Sequence, residues 1–214
     1  MQRRDFLLQG APCLLLPLLI PAATAAREKI VGLPCEGCDA VFVDQPAQIP
    51  SLARIAPADE PGQPLQLRGQ VLDLAGKPAA SIIVYAYHTD AAGDYAPLAA
   101  TRGTPAQPHG RLRSWARTDA QGRYGFDSIR PGGYPGRKDP QHIHLHVIEP
   151  GLRTYYIDDV VFEDDPRMTD PATRTKLLHA ANRGGSGVTR PQRDAAGVWQ
   201  VQRDIRLGMN IPGY

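Results

Sequence analysis

The segment richest in chemistry is Pro140-Gln141-His142-Ile143-His144-Leu145-His146-Val147-Ile148, which holds three of the chain's six histidines. In a strand, alternate residues share a face, so His142, His144 and His146 point one way while Ile143, Leu145 and Val147 point the other. A row of imidazoles opposite an apolar face reads as a metal site backed by a core; a polar outer face that happens to use histidine is the competing reading. At about 3.3 Å per residue, His142 and His144 lie about 6.6 Å apart along the strand, so both rings can reach one ion. His146 lies about twice as far from His142, which makes it a supporting residue or a bystander.

Two imidazoles do not complete a coordination shell. Tyr134, in Pro131-Gly132-Gly133-Tyr134-Pro135, and Tyr95, in Asp90-Ala91-Ala92-Gly93-Asp94-Tyr95, stand in turn-rich segments beside predicted strands. Taken alone, each reads as ordinary turn-edge aromatic packing.

The elements that must position these residues are short strands. Leu65, Leu67, Gly69 and Val71 alternate with Gln66, Arg68 and Gln70, and Ala75-Gly76-Lys77-Pro78 supplies a turn. Further strands are predicted at Ser81–Tyr87, Arg113–Thr118, Arg123–Phe126, His142–Ile148, Tyr155–Phe162 and Val198–Leu207. One short helix is predicted after Asp170, with Pro171 at its first position and Gly184-Gly185 beyond its end. The fold class that follows is all-β: an antiparallel β-sandwich over residues 64–214 with one short helix near its C-terminal part. Residues 27–63, rich in proline and without periodicity, read as an N-terminal arm.

Composition agrees and excludes alternatives. With 21 Gly and 21 Pro among 214 residues, turns outnumber what a helical protein tolerates. A net charge of +2, spread along the chain, lacks the concentrated basic face that nucleic acid requires. Residues 1–26 combine Arg3-Arg4-Asp5-Phe6-Leu7, a short apolar run and an Ala-rich stretch, which reads as a twin-arginine export signal and places the protein in the periplasm or outside the cell. Nothing after it is long and apolar enough for a membrane span. Cys35-Glu36-Gly37-Cys38 lacks the second pair that a zinc site needs, so it reads as a staple or a spare thiol pair.

Four segments in order carry a family resemblance: Val84–Tyr95, Thr118–Phe126, Ile129–Pro135 and Pro140–His144. Together they resemble the successive motifs of the intradiol ring-cleavage dioxygenases, with Phe162–Pro166 as a weaker last piece. The resemblance implies a non-haem Fe(III) centre ligated by Tyr95, Tyr134, His142 and His144. A hard ferric ion prefers anionic oxygen, and two tyrosinates with one hydroxide balance its charge while neutral imidazoles complete the shell. It also implies that Tyr134 leaves the metal when a catechol binds and acts as a base, and that O2 opens the ring between its hydroxyl-bearing carbons to a muconate-type diacid. Family members carry an arginine three residues before the first histidine. Asp139 stands there in this chain, and Arg137, with Lys138 beside it, is the replacement cation expected to act in catalysis. Arg111, Arg113 and Arg153 are further candidates for holding a charged substrate. A homo-oligomer is expected from the same resemblance. Two alternatives stay open: a transthyretin-like β-sandwich that only binds, and a metal-binding family member without turnover.

Overall fold

A computed structural model describes residues 28–35 and 37–214. The export-signal reading lies outside the described residues. Among the described residues twelve strands form two sheets: β1 (Lys29–Ile30), β2 (Leu52–Arg54), β3 (Pro64–Leu72), β4 (Ile83–Tyr87), β5 (Arg113–Arg117), β6 (Arg123–Ile129), β7 (His142–Glu149), β8 (Arg153–Phe162), β9 (Val188–Thr189), β10 (Gln192–Arg193), β11 (Trp199–Gln202) and β12 (Ile205–Arg206). One sheet runs β1-β8-β7-β4-β5 with β9 on β8, and the other runs β10-β11-β3-β6-β2 with β12 on β3.

The alternation read from the sequence is what packs the sheets together. Leu65, Leu67 and Val71 of β3 and Phe126 of β6 meet Val84 and Ala86 of β4 and Ile143, Leu145 and Val147 of β7 in one buried core. Burying an aliphatic or aromatic side chain of this size contributes about 1.5 to 3 kcal/mol, so a register slip that turned these residues outward would undo the sandwich. The central pairs β3–β6, β4–β5, β4–β7 and β7–β8 are antiparallel, as expected. The edges differ: β1 and β9 lie parallel to β8, β2 parallel to β6, and β11 and β12 parallel to β3.

β4 is buried on both faces. Its second face, with Ile83, Tyr85 and Tyr87, packs with Trp115 and Ile148 under Val41 of the N-terminal segment. Trp115 Nε1 donates to the Val41 carbonyl at 2.8 Å, and Arg113 donates to the Val43 carbonyl at 3.0 Å. Those bonds seat Cys38–Phe42, one short 3-10 turn, over the sheet. Cys35 and Cys38 are joined in a disulfide.

The single strand expected over Val198–Leu207 is two, β11 and β12. Arg203 interrupts it: its side chain is buried, and its guanidinium donates to the carbonyls of Gly184, Gly185 and Asp204. The helix α1 (Pro171–Leu178) starts where expected, capped by Asp170, whose carboxylate accepts from Thr173 N at 3.0 Å. Among the described residues no helix is long and apolar enough to cross a membrane.

Candidate active site

β7 turns Ile143 and Leu145 into the core and leaves His142 and His144 on the opposite face, half-buried. Each ring is fixed through Nδ1. His142 Nδ1–H donates to the Pro140 carbonyl at 2.6 Å, and His144 Nδ1–H donates to Asp159 Oδ1 at 2.9 Å. With the protons held there, both Nε2 atoms are left as lone-pair donors, the form in which imidazole binds a metal. Burial, reinforced by the charge of His144, lowers the His142 pKa and keeps that ring neutral.

The tyrosines arrive on two loops that touch. After β4, the Asp90 carboxylate accepts from Ala92 N and Asp94 N, at 2.9 and 3.1 Å, and turns the chain so that Tyr95 faces back over the sheet. After β6, Gly132 N donates to the Asp90 carbonyl at 2.8 Å, and Thr89 Oγ donates to the Gly132 carbonyl at 2.8 Å. A Cβ on Gly132 would stand 2.6 Å from the Ala91 carbonyl oxygen, so only glycine lets the loops close this far. Arg167 lies against Gly133 and donates to the Tyr134 carbonyl at 3.2 Å.

Four ligand-type atoms therefore converge. The Tyr95 and Tyr134 hydroxyls are 2.7 Å apart; His144 Nε2 lies 2.9 Å from the first and 3.2 Å from the second, and His142 Nε2 lies 3.1 Å from Tyr134 Oη. Burial raises the pKa of both phenols, Tyr95 further by its bond to Tyr134, while that same bond and the Arg137 charge pull Tyr134 back. Without a cation these phenols stay protonated. A multivalent cation between them supplies the charge that would make them phenolates.

A cavity of about 330 Å³ opens beside this quartet, lined by Tyr95, Tyr134 and His144 together with Cys35, Tyr87, Pro108, His109 and Tyr156. Tyr87 forms its floor, stacked on His109 with centroids 3.6 Å apart and on His144 at 4.5 Å. None of these lining residues is a lysine, arginine, aspartate or glutamate.

Of the expected cations, Arg137 stands nearest: its guanidinium carbon is 5.6 Å from the centre of the Tyr134 ring. Arg111 is engaged by Glu60 at 2.5 Å, Arg113 by Asp44 at 3.0 Å, and Arg153 lies over the Tyr214 ring. Asp139 lines a neighbouring cavity of about 430 Å³ with Asp158, Asp159, Lys176 and Arg183. His146 is buried beneath the site, and burial with the charges of His109 and His144 pushes its pKa down to about 3, so it is a neutral packing ring.

Three residues at the site escaped the sequence reading. Asp159 and Tyr156 come from β8, where two consecutive aspartates, Asp158-Asp159, interrupt an apolar strand; that pair is the signal that could have found them. His109 reaches the cavity from a short 3-10 turn, Gln107–His109, that carries no periodicity.

Three kinds of similarity accompany this geometry. A family model described as Dioxygenase matches residues 39–190. Catechol 1,2-dioxygenase 2 of Acinetobacter lwoffii is 34% identical over 147 residues, covering 60% of this chain and 51% of that protein. The protocatechuate 3,4-dioxygenase beta chain of Burkholderia cepacia is 31% identical over 130 residues, covering 55% of each. The chain thus spans about half the length of the curated relatives it matches. Among solved structures, the dioxygenase domain of a carbohydrate-binding protein fusion from Streptomyces sp. SirexAA-E superposes with a TM-score of 0.56 at 25% identity, covering 76% of this chain and 90% of that one. Catechol 1,2-dioxygenase from Pseudomonas arvilla C-1 gives 0.53 at 26% identity, covering 75% and 58%. The matched region holds both tyrosines and both histidines of the quartet, and the chain belongs to the intradiol ring-cleavage dioxygenases, an iron-dependent family of oxidoreductases.

Proposed function

We propose that the protein is an Fe(III) intradiol dioxygenase that opens the ring of a catechol-type substrate with O2, both oxygen atoms entering a muconate-type diacid. The observation that carries this reading is the convergence of Tyr95 Oη, Tyr134 Oη, His142 Nε2 and His144 Nε2 within 3.2 Å contacts. The donor set fits a ferric ion: two phenols that need a cation to ionise, and two imidazoles whose Nδ1 atoms are engaged so that Nε2 faces inward. Such an ion supplies Lewis acidity toward the two catechol oxygens and activates the ring toward O2.

The chain's own residues do the rest. His142 and His144 hold fixed orientations through Pro140 and Asp159. Tyr134, on the loop beside the cavity, is the phenolate placed to take a catechol proton at Oη, and Arg137 over its ring favours the anionic form. Tyr87, Pro108, His109 and Tyr156 line the cavity and would flank the aromatic ring. The test is oxygen uptake by iron-loaded protein with catechol, protocatechuate and hydroxyquinol. Consumption of one O2 per catechol with a muconate product supports the reading; the absence of uptake with all three refutes it.

A metal-binding member without turnover is the second reading, favoured by Asp139, whose charge opposes ionisation of Tyr134. It is distinguished by an iron-loaded, coloured protein that consumes no O2. A module that only binds has no use for the quartet.

We infer export by the twin-arginine route, which carries folded proteins and so allows metal loading first. An Arg3→Lys, Arg4→Lys precursor should remain in the cytoplasm, and its normal export would refute this. The expected homo-oligomer stays a proposal to be read from light scattering.

A further inference from the structure

β7 and β8 are not in simple register at the site. Ile143 pairs with Val160 and Leu145 with Ile157, so one residue of β7, His144, faces two of β8, Asp158 and Asp159. This is a β-bulge, which re-aims the side chains of the strand that carries the extra residue. Ile157 and Val160 on either side both remain in the core, so the extra residue lets both aspartates leave it. Their roles separate. Asp158 turns to Arg183, at 2.8 Å, and accepts from Arg183 N at 3.1 Å. Asp159 turns to the histidine: Oδ1 accepts from His144 Nδ1–H at 2.9 Å and from Tyr156 Oη–H at 2.5 Å. Among the described residues His144 and Tyr156 are the side chains that donate to Asp159.

Resting on the iron reading above, we propose that Asp159 is a positioning residue that acts through His144 to make the site prefer a trivalent ion. Two imidazoles of the quartet are treated differently by the fold. His142 leans on a neutral carbonyl, that of Pro140, and His144 on a carboxylate. A carboxylate drawing on Nδ1–H makes Nε2 a stronger donor and fixes its direction. It also brings a further negative charge. Added to the two tyrosinates and the hydroxide, Asp159 raises the negative charge around the ion, which favours a trivalent over a divalent cation. Asp158 is paired with Arg183, while both side-chain donors to Asp159, His144 and Tyr156, belong to the site.

His142, His144 and Asp159 also lie close enough to suggest a two-histidine, one-carboxylate centre, their ligand-type atoms falling within 4.8 Å of one another. The bonds disfavour it. Asp159 occupies Nδ1 of His144, while the two tyrosine hydroxyls gather at Nε2 on the other side of the ring.

The test compares wild type, Asp159→Asn and Tyr156→Phe as iron-loaded proteins, reading the tyrosinate-to-iron charge-transfer band and the ferric and ferrous affinities. Asp159→Asn keeps the shape and loses the charge. It should bind iron at the same stoichiometry, with a band moved to longer wavelength and a ferric affinity lowered about 10- to 100-fold, more than the ferrous. Each tenfold of that difference raises the midpoint potential by about 59 mV. Tyr156→Phe removes the donor that shares the same oxygen, strengthens the carboxylate's hold on His144, and should shift both readings in the opposite sense. In metal-free protein, 15N NMR should find the proton of His144 on Nδ1, and Asp159→Ala should release it. An unchanged band and unchanged ferric preference in Asp159→Asn would overturn the role of Asp159 alone. Complete loss of iron from a folded Asp159→Asn would also overturn it, since the carboxylate would then be a ligand. Wild type that takes no iron would overturn the iron reading together with this one.

Discussion

Gly132 is where the spacing of the two tyrosines is set, and Gly132→Ala tests it. The new Cβ would stand 2.6 Å from the Ala91 carbonyl oxygen, and ordinary contact begins near 3.4 Å, so the two loops must part by about 0.8 Å or more. The crowded groups, Gly93 N and the Ala91 carbonyl, are backbone, which cannot swing away as a side chain would. Parting also stretches the 2.8 Å bonds that Gly132 makes with Asp90 and Thr89. Overpacking of this kind costs about 1 to 3 kcal/mol, or about 2 to 12 °C in melting temperature for a domain of this size. The functional loss should be larger than the stability loss. Tyr134 is two residues away, its hydroxyl lies 2.7 Å from that of Tyr95, and a misplacement near 1 Å can lower a rate about 100-fold. The assay is thermal melting of the metal-free protein beside the visible spectrum and oxygen uptake of the iron-loaded one. Gly136→Ala is the control. It lies as far beyond Tyr134 as Gly132 lies before it, its φ is +71°, and a Cβ there meets nothing within 4 Å. It should cost about 1 kcal/mol in backbone strain and leave the spectrum alone. A Gly132→Ala protein with the melting temperature and colour of wild type would refute the idea that loop approach fixes the tyrosine pair.

Other expectations concern groups around the site. His88 is buried, donating from Nδ1 to the Thr89 carbonyl and accepting at Nε2 from Ser128, and burial pushes its pKa down to about 4. The unfolded chain takes up this proton near pH 6.5 and the folded chain only near pH 4, so stability falls as pH drops between them, by about 3 kcal/mol. Urea midpoints across that window should show the slope, and His88→Gln should flatten it; an equally steep slope in the variant would refute the assignment. Arg137 is exposed over the Tyr134 ring, where a cation contributes about 0.5 to 1 kcal/mol, so Arg137→Gln should slow turnover about 2- to 5-fold. No change, measured by oxygen uptake, would remove Arg137 from catalysis.

The fold was legible wherever one face of a strand is core and the other is not. β3 and β7 alternate cleanly because Leu65, Leu67, Ile143 and Leu145 must all reach the same interior. β4 offers no alternation, since both of its faces are covered, yet its run of Ile83-Val84-Tyr85 still reads as strand. Two features were hidden for a physical reason. The break at Arg203 depends on carbonyls of Gly184 and Gly185, contributed from far along the chain, and the bulge at Asp158-Asp159 depends on which residue of β7 stands opposite. Neither partner is visible in a local pattern. At the site, the histidine pair followed from strand geometry, while Tyr95 and Tyr134 were marked by resemblance alone. Their convergence needs the loop contact between Gly132 and Ala91, which no spacing in the sequence reveals. His109 lay beyond reach altogether, because it enters the cavity from a single 3-10 turn and by stacking on Tyr87.

The central claim, a ferric ion held by two tyrosines and two histidines, is tested most directly by iron content and visible absorption of the purified protein. Expected are one iron per chain and a strong tyrosinate-to-ferric charge-transfer band that weakens and shifts in Tyr95→Phe and in Tyr134→Phe. A colourless protein that holds no iron after careful reconstitution would contradict it.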